Sequence, residues 1–89
     1  MAARVTSARQ LVRSGLDLPA LLDRIGDDDD LMAGGVNSGE MVRIALRCEQ
    51  ELGRVLTDDE LAGLSTVRAV AELIEASAMG REPRVKAVD

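Results

Sequence analysis

The stretch from Asn37 to Gly53 leaves this chain the least choice of fold. Asn37 with Glu40 three residues later is a capping-box pair, the signature of a helix start. Gly53 is the kind of residue that follows a helix end. At about 100° per residue, Met41, Ile44, Ala45, Cys48 and Leu52 fall on one stripe, with Gly39, Arg43, Leu46, Arg47 and Gln50 opposite. This predicts an amphipathic helix over 38–52, about 22 Å long, with an apolar face for a core and a polar face for solvent. Leu46 stands out as a large apolar side chain among polar neighbours. A single exposed hydrophobe is ordinary; the sharper reading is a knob for docking a partner.

Helical spacing continues elsewhere. Val5, Ala8, Leu11 and Val12 predict a first helix over 5–14, ended near Gly15. Pro19 opens a short run to Ile25, at a position where its missing N–H does no harm. Spacing alone leaves open whether these are two helices or one kinked at 16–19. Thr57-Asp58-Asp59-Glu60 is a second capping box and opens a short helix, with Leu61 and Leu64 expected to face inward. Ser65 or Thr66 is expected to cap a last helix carrying Val67, Val70, Ala71, Ile74 and Ala78, ended by Gly80. Residues 81–89 lack periodicity and are expected to be a flexible tail.

Eighty-nine residues suit one domain, here 1–80, which buries only about 60–65% of its unfolded surface. There is no aromatic residue, so aliphatic side chains and methionine must fill the core, and the enrichment typical of strands is missing. The expected class is a small all-α bundle with a long loop before the second main helix.

Charge narrows the function classes. The chain carries a net −5, and residues 25–66 alone carry −7. That opposes nucleic-acid binding, which needs cations against phosphates, and favours protein partners. One cysteine excludes an internal disulfide, and Cys48 falls on the core stripe, as a buried inert thiol would. The Asp27–Asp30 run lacks the glycine and final glutamate of an EF-hand loop; it reads as a solvated loop, and no metal is expected. No apolar run is long enough to span a membrane and no signal peptide is evident. The expectation is a cytoplasmic monomer.

Asp30-Leu31-Met32-Ala33-Gly34-Gly35-Val36-Asn37-Ser38 is an acidic loop with two glycines, and it delivers a serine to the first turn of the 38–52 helix. The chain has no histidine, and no Ser-x-x-Lys arrangement surrounds Ser38, so no base is at hand to make it a nucleophile. Such a serine reads either as a helix cap or as a residue to be modified. A phosphodiester there would meet unpaired N–H groups and the positive end of the helix dipole.

The loop resembles that of the acyl and peptidyl carrier proteins, usually Gly-x-Asp-Ser-Leu. The resemblance spans roughly 28–76. The family's following helix commonly runs Ser-Leu-Asp-x-Val-Glu-Leu-x-x-x-Leu-Glu-Glu-Glu-Phe-Gly. Here Ser38-Gly39-Glu40-Met41-Val42-Arg43-Ile44-Ala45-Leu46-Arg47-Cys48-Glu49-Gln50-Glu51-Leu52-Gly53 follows without a gap. Leu56-Thr57-Asp58-Asp59-Glu60 and Leu64-Ser65-Thr66-Val67 keep the family's order of a short helix and then a Thr-Val start.

The resemblance implies a four-helix bundle with a 4′-phosphopantetheine arm on Ser38, added from coenzyme A by a phosphopantetheinyl transferase. It implies an acyl or aminoacyl thioester on the arm, passed between enzymes, with no chemistry by the carrier itself. The implied partners are that transferase, a loading enzyme (an adenylation enzyme or acyltransferase) and a downstream acyltransferase or synthase. Val36, Asn37, Gly39, Glu40, Arg43, Leu46, Arg47 and Gln50, with Leu64 and Thr66, are the expected docking surface. Three features depart from the pattern. Asn37 replaces the usual Asp, Gly39 replaces the usual Leu, and Arg43 and Arg47 put cations on a helix that is almost wholly acidic in fatty-acid carriers. Wrong-sign charge rejects partners, so the expected role is a freestanding carrier of polyketide or nonribosomal peptide biosynthesis. The alternatives are a fatty-acid carrier, or a helical interaction module without a prosthetic group.

Overall fold

The computed structural model describes residues 2–76, with side chains from Thr6 onward. Four α-helices and one 3-10 helix make up the described residues, and no strand is present among them. They are α1 (Ala2–Ser14), the 3-10 helix (Pro19–Arg24), α2 (Ser38–Leu52), α3 (Asp58–Ala62) and α4, which is helical over 67–76. The all-helical bundle expected from spacing is the fold observed. The predicted helix end at Gly80, Ala78 and the 81–89 tail lie outside the described residues.

The open question at 16–19 is resolved as two helices. α1 closes with tightened bonds, Gly15 N–H to Val12 O at 3.0 Å and Leu16 N–H to Arg13 O at 3.1 Å, a common way to satisfy last-turn carbonyls. Pro19 then begins the 3-10 helix. Gly15 also allows a close approach: a Cβ there would lie 3.0 Å from Ile44 Cγ1 and 3.2 Å from the Ile44 backbone nitrogen. The end of α1 thus sits directly on the middle of α2.

One core joins all the helices except α3. Ala8, Val12, Leu22, Ile44, Cys48, Val67 and Val70 are buried at its centre, and Ile25, Leu31, Val36, Leu56 and Leu64 come from the connections. Met41 and Ala45, placed on the core stripe by spacing, are only half-buried and pack at its edge. α3 buries none of its residues. Leu61, expected inside, is 44% exposed; with barely one turn between its caps, α3 turns Leu61 to the side of the core, not into it.

The caps follow the sequence. Thr57 and Glu60 form a reciprocal capping box, and Arg54 grips the same carboxylate with two hydrogen bonds of 2.9 and 2.8 Å. The Arg54 guanidinium holds Glu60 down at about 2. Thr66, not Ser65, caps α4, accepting from Ala69 N–H at 3.0 Å.

Candidate functional site

A helix start needs a side chain to accept from its orphan N–H groups. In α2 that side chain is Asn37, whose Oδ1 accepts from Glu40 N–H at 2.7 Å. Glu40 Oε1 in return accepts from Asn37 N–H at 3.0 Å. Ser38 is therefore the first residue inside the helix and not its cap, and its side chain is exposed. The N–H groups of Ser38 and Gly39 have no partner among the described residues. A phosphate on the Ser38 hydroxyl would lie beside two free donors and the positive end of a 15-residue helix.

Glu40 does more than close the cap. It is 4% exposed, and its Oε2 accepts from Asp17 N–H at 2.9 Å. Its carboxylate therefore spans the start of α2 and the segment after α1. One turn further along α2, Arg43 reaches the Asp17 carboxylate at 2.7 Å. The Arg43 guanidinium holds Asp17 below its ordinary value.

The loop before Ser38 is pinned along its length. Leu31 and Val36 insert into the core. Leu31 N–H donates to Ser65 O at 2.9 Å, and Val36 N–H to Leu31 O at 3.0 Å. Gly35 has φ +117, where a side chain would be strained, and a Cβ there would sit 3.3 Å from Leu21. The four aspartates expected to be simply solvated each have a partner. Asp27 pairs with Arg9 at 2.7 Å and Asp28 with Arg68 at 2.6 Å. Asp29 accepts from Gly26 N–H at 2.8 Å, and Asp30 Oδ1 accepts from Met32 and Ala33 N–H at 2.9 and 3.2 Å. Arg68 N–H also donates to Asp27 O at 2.9 Å, so this loop covers the exposed start of α4. No group of acids able to hold a metal ion occurs among the described residues.

Three residues expected on the docking surface are turned inward instead. Val36 is 2% exposed, because it anchors the loop in the core. Glu40 is spent on Asp17 and Asn37. Leu64 is buried under α3 and forms the floor of a groove. Asn37, Ser38, Gly39, Arg43, Leu46, Arg47 and Gln50 are exposed. Thr66 is half-buried with its hydroxyl committed to the α4 cap.

Leu46 is not alone, as spacing had suggested. It borders a groove of ≈ 360 Å³ between α2 and α3, lined by Met41, Val42, Ala45, Glu49, Leu61 and Leu64. Val42, Leu46 and Leu61 keep 59, 50 and 44% of their surface exposed. Reading α2 alone missed Val42 and Leu61. The signal lay in the spacing of Ser38, Val42 and Leu46, four residues apart, which puts an apolar line below the serine. Cys48 lies fully buried on the other side of α2, and burial pushes its thiol up to about 11.

A second groove, of ≈ 490 Å³, lies between α1 and α2 and includes Gln10, Ser14, Arg47, Gln50 and Glu51. Arg47 and Gln50 therefore face away from the apolar groove's lining, toward α1.

A family model described as the phosphopantetheine attachment site matches residues 8–74. No curated protein and no solved structure matches the chain. The matched span runs from within α1 through the loop, Ser38, α2 and α3 into α4. A domain of this family is a site of covalent 4′-phosphopantetheine attachment, which displaces the reading as an interaction module without a prosthetic group. Such domains meet a phosphopantetheinyl transferase and acyl-handling enzymes in general. No helix among the described residues is long and apolar enough to cross a membrane. The capped α2, the exposed serine at its first position and the matched span agree: the chain belongs to the phosphopantetheine-attachment carrier family.

Proposed function

We propose that Ser38 bears the 4′-phosphopantetheine arm and that the chain is a carrier for polyketide or nonribosomal peptide biosynthesis. The observation that carries the site is the division of labour at the start of α2. Asn37 provides the cap, and Ser38 is left exposed beside two unpartnered N–H groups. When attached, the arm supplies a terminal thiol that holds the acyl or aminoacyl group as a thioester. The protein's own part is to present the serine, favour the phosphodiester through the helix start and offer surfaces to each enzyme in turn. It supplies no catalytic group.

The proposed docking surface combines Asn37, Gly39, Leu46, Arg47 and Gln50 with Val42 and Leu61, and with Thr66 at its edge. Arg43 is exposed but already paired with Asp17. Arg47, on the flank of α2 turned toward α1, is thus the exposed α2 cation left to meet a partner, and Leu46 with Val42, on the flank turned toward α3, the apolar anchor. An apolar anchor with one cation is unlike the acidic helix that suits fatty-acid enzymes, which supports a dedicated pathway.

The test is intact mass after incubation with coenzyme A and a broad-specificity phosphopantetheinyl transferase, with Ser38→Ala in parallel. A gain of one phosphopantetheinyl unit, absent in the variant, is expected. A gain that persists in Ser38→Ala would move the arm elsewhere. Absence of gain even after Asn37→Asp and Gly39→Leu restore the usual residues would overturn the reading. For the pathway, loading by an adenylation enzyme or acyltransferase of an assembly line should outpace loading by a fatty-acid acyltransferase; the reverse would make it a fatty-acid carrier.

A further inference from the structure

The surface around Ser38 is held in place by an arrangement that capping alone does not require. A capping-box glutamate needs one oxygen for the N-cap N–H. The second oxygen of Glu40 reaches back 23 residues to Asp17 N–H, at 2.9 Å, and does so almost completely out of solvent. A buried carboxylate is costly unless its oxygens are satisfied. Here both oxygens accept from backbone N–H groups on either side of the helix start. Arg43 holds the same residue, Asp17, by its side chain. Two α2 side chains, three residues apart, therefore grip Asp17 by its amide and by its carboxylate. Between that grip and the Asn37 cap stands Ser38.

We propose that Glu40, supported by Arg43 on Asp17, is a positioning residue for the modification of Ser38: it fixes the first turn of α2 against the segment after α1, so that the Ser38 hydroxyl is held in one place when the transferase docks. The proposal rests on Ser38 as the attachment point. It assigns Glu40 a role opposite to that of a docking acid, since a buried side chain offers nothing to a partner.

Positioning and docking leave different kinetic marks. Loss of positioning leaves the exposed surface of Val42, Leu46 and Arg47 intact, so the complex forms as before. The hydroxyl is misplaced within it, and misplacements of about 1 Å cost up to about a hundredfold in rate. The experiment is steady-state kinetics of phosphopantetheine transfer from coenzyme A to the wild-type chain and to Glu40→Ala, Glu40→Gln and Arg43→Ala. Circular dichroism checks that each is folded at the assay temperature.

Glu40→Ala is expected to lower kcat by about tenfold or more with KM within about twofold. Glu40→Gln keeps one acceptor but turns an NH2 group toward an N–H, so it should fall between; it also answers the question if Glu40→Ala does not fold. Arg43→Ala removes only an exposed ion pair and should cost about twofold or less. A raised KM with kcat unchanged in the Glu40 variants would make Glu40 a docking residue and overturn the proposal. Wild-type kinetics in both would reduce the contact to a stability device and overturn it equally. If the wild-type chain itself takes no arm at Ser38, it is the attachment-site reading that fails.

Discussion

At a helix start there is room for one side chain to cap and one to be shown, and adjacent residues here divide those duties. Asn37→Ala should cost about 1 kcal/mol of stability by removing the acceptor for Glu40 N–H, measured by urea unfolding. Ser38→Ala should cost little in the same assay, because its hydroxyl is not the cap. Leu46 and Ile44, two positions apart on α2, should respond in opposite ways. Ile44 is fully buried, and Ile44→Ala should lose about 2–5 kcal/mol. Leu46 is half-exposed; Leu46→Ala should stay within about 0.5 kcal/mol while raising KM for the transferase several-fold. A stability loss at Leu46 as large as at Ile44 would remove it from the docking surface.

At the scale of elements, the end of α1 meets the middle of α2 closely enough to restrict Gly15. The Gly15→Ala Cβ would press on the Ile44 backbone as well as its side chain, and backbone cannot rotate away. A loss of about 1–3 kcal/mol is expected, read from thermal unfolding; an unchanged midpoint would show that α1 can shift on α2. The long helix and both capping boxes were legible in the sequence, and the α4 start was narrowed to Ser65 or Thr66, because caps are local: acceptor and donor lie three residues apart. The inward turn of Glu40 was not legible, since its second partner is 23 residues away and pattern analysis sees only the capping half of its work. Val36 was misplaced for the same reason, whereas Leu64 is buried as its spacing predicted and so is not part of the exposed docking surface. Burial of a loop side chain depends on what the loop is folded against, and the Leu31–Ser65 bond that fixes it joins segments 34 residues apart. Leu61 was misplaced because a helix of five residues has too few turns to commit a face.

Across the whole molecule, acid should act through paired carboxylates. Glu60 has its folded value lowered from 4.5 to about 2, chiefly by hydrogen bonds from Arg54, and Asp17 and Asp28 are lowered by Arg43 and Arg68. A group lowered on folding stabilises the fold above its unfolded value and ceases to do so as pH falls through its folded one. Stability should therefore hold near neutrality and decline as pH drops from about 4.5 toward 2. Glu60→Gln should flatten part of that slope, and an unchanged profile would remove the Arg54 pair as its source. Each of these pairs, Asp17, Asp27, Asp28 and Glu60 with an arginine of the same chain, is neutral in itself, so the net charge of −5 is carried by the remaining charged groups.

The buried thiol of Cys48 has a practical consequence. The chain has only this cysteine, enclosed in the core and protonated at neutral pH. The native apo protein should therefore be silent to alkylating and disulfide-exchange reagents, while in denaturant it should count one sulfur. Attachment of the arm should add one that titrates at once. A carrier whose own sulfur is locked away cannot intercept an activated acyl group meant for the arm, and its occupancy can be counted by thiol stoichiometry without unfolding it.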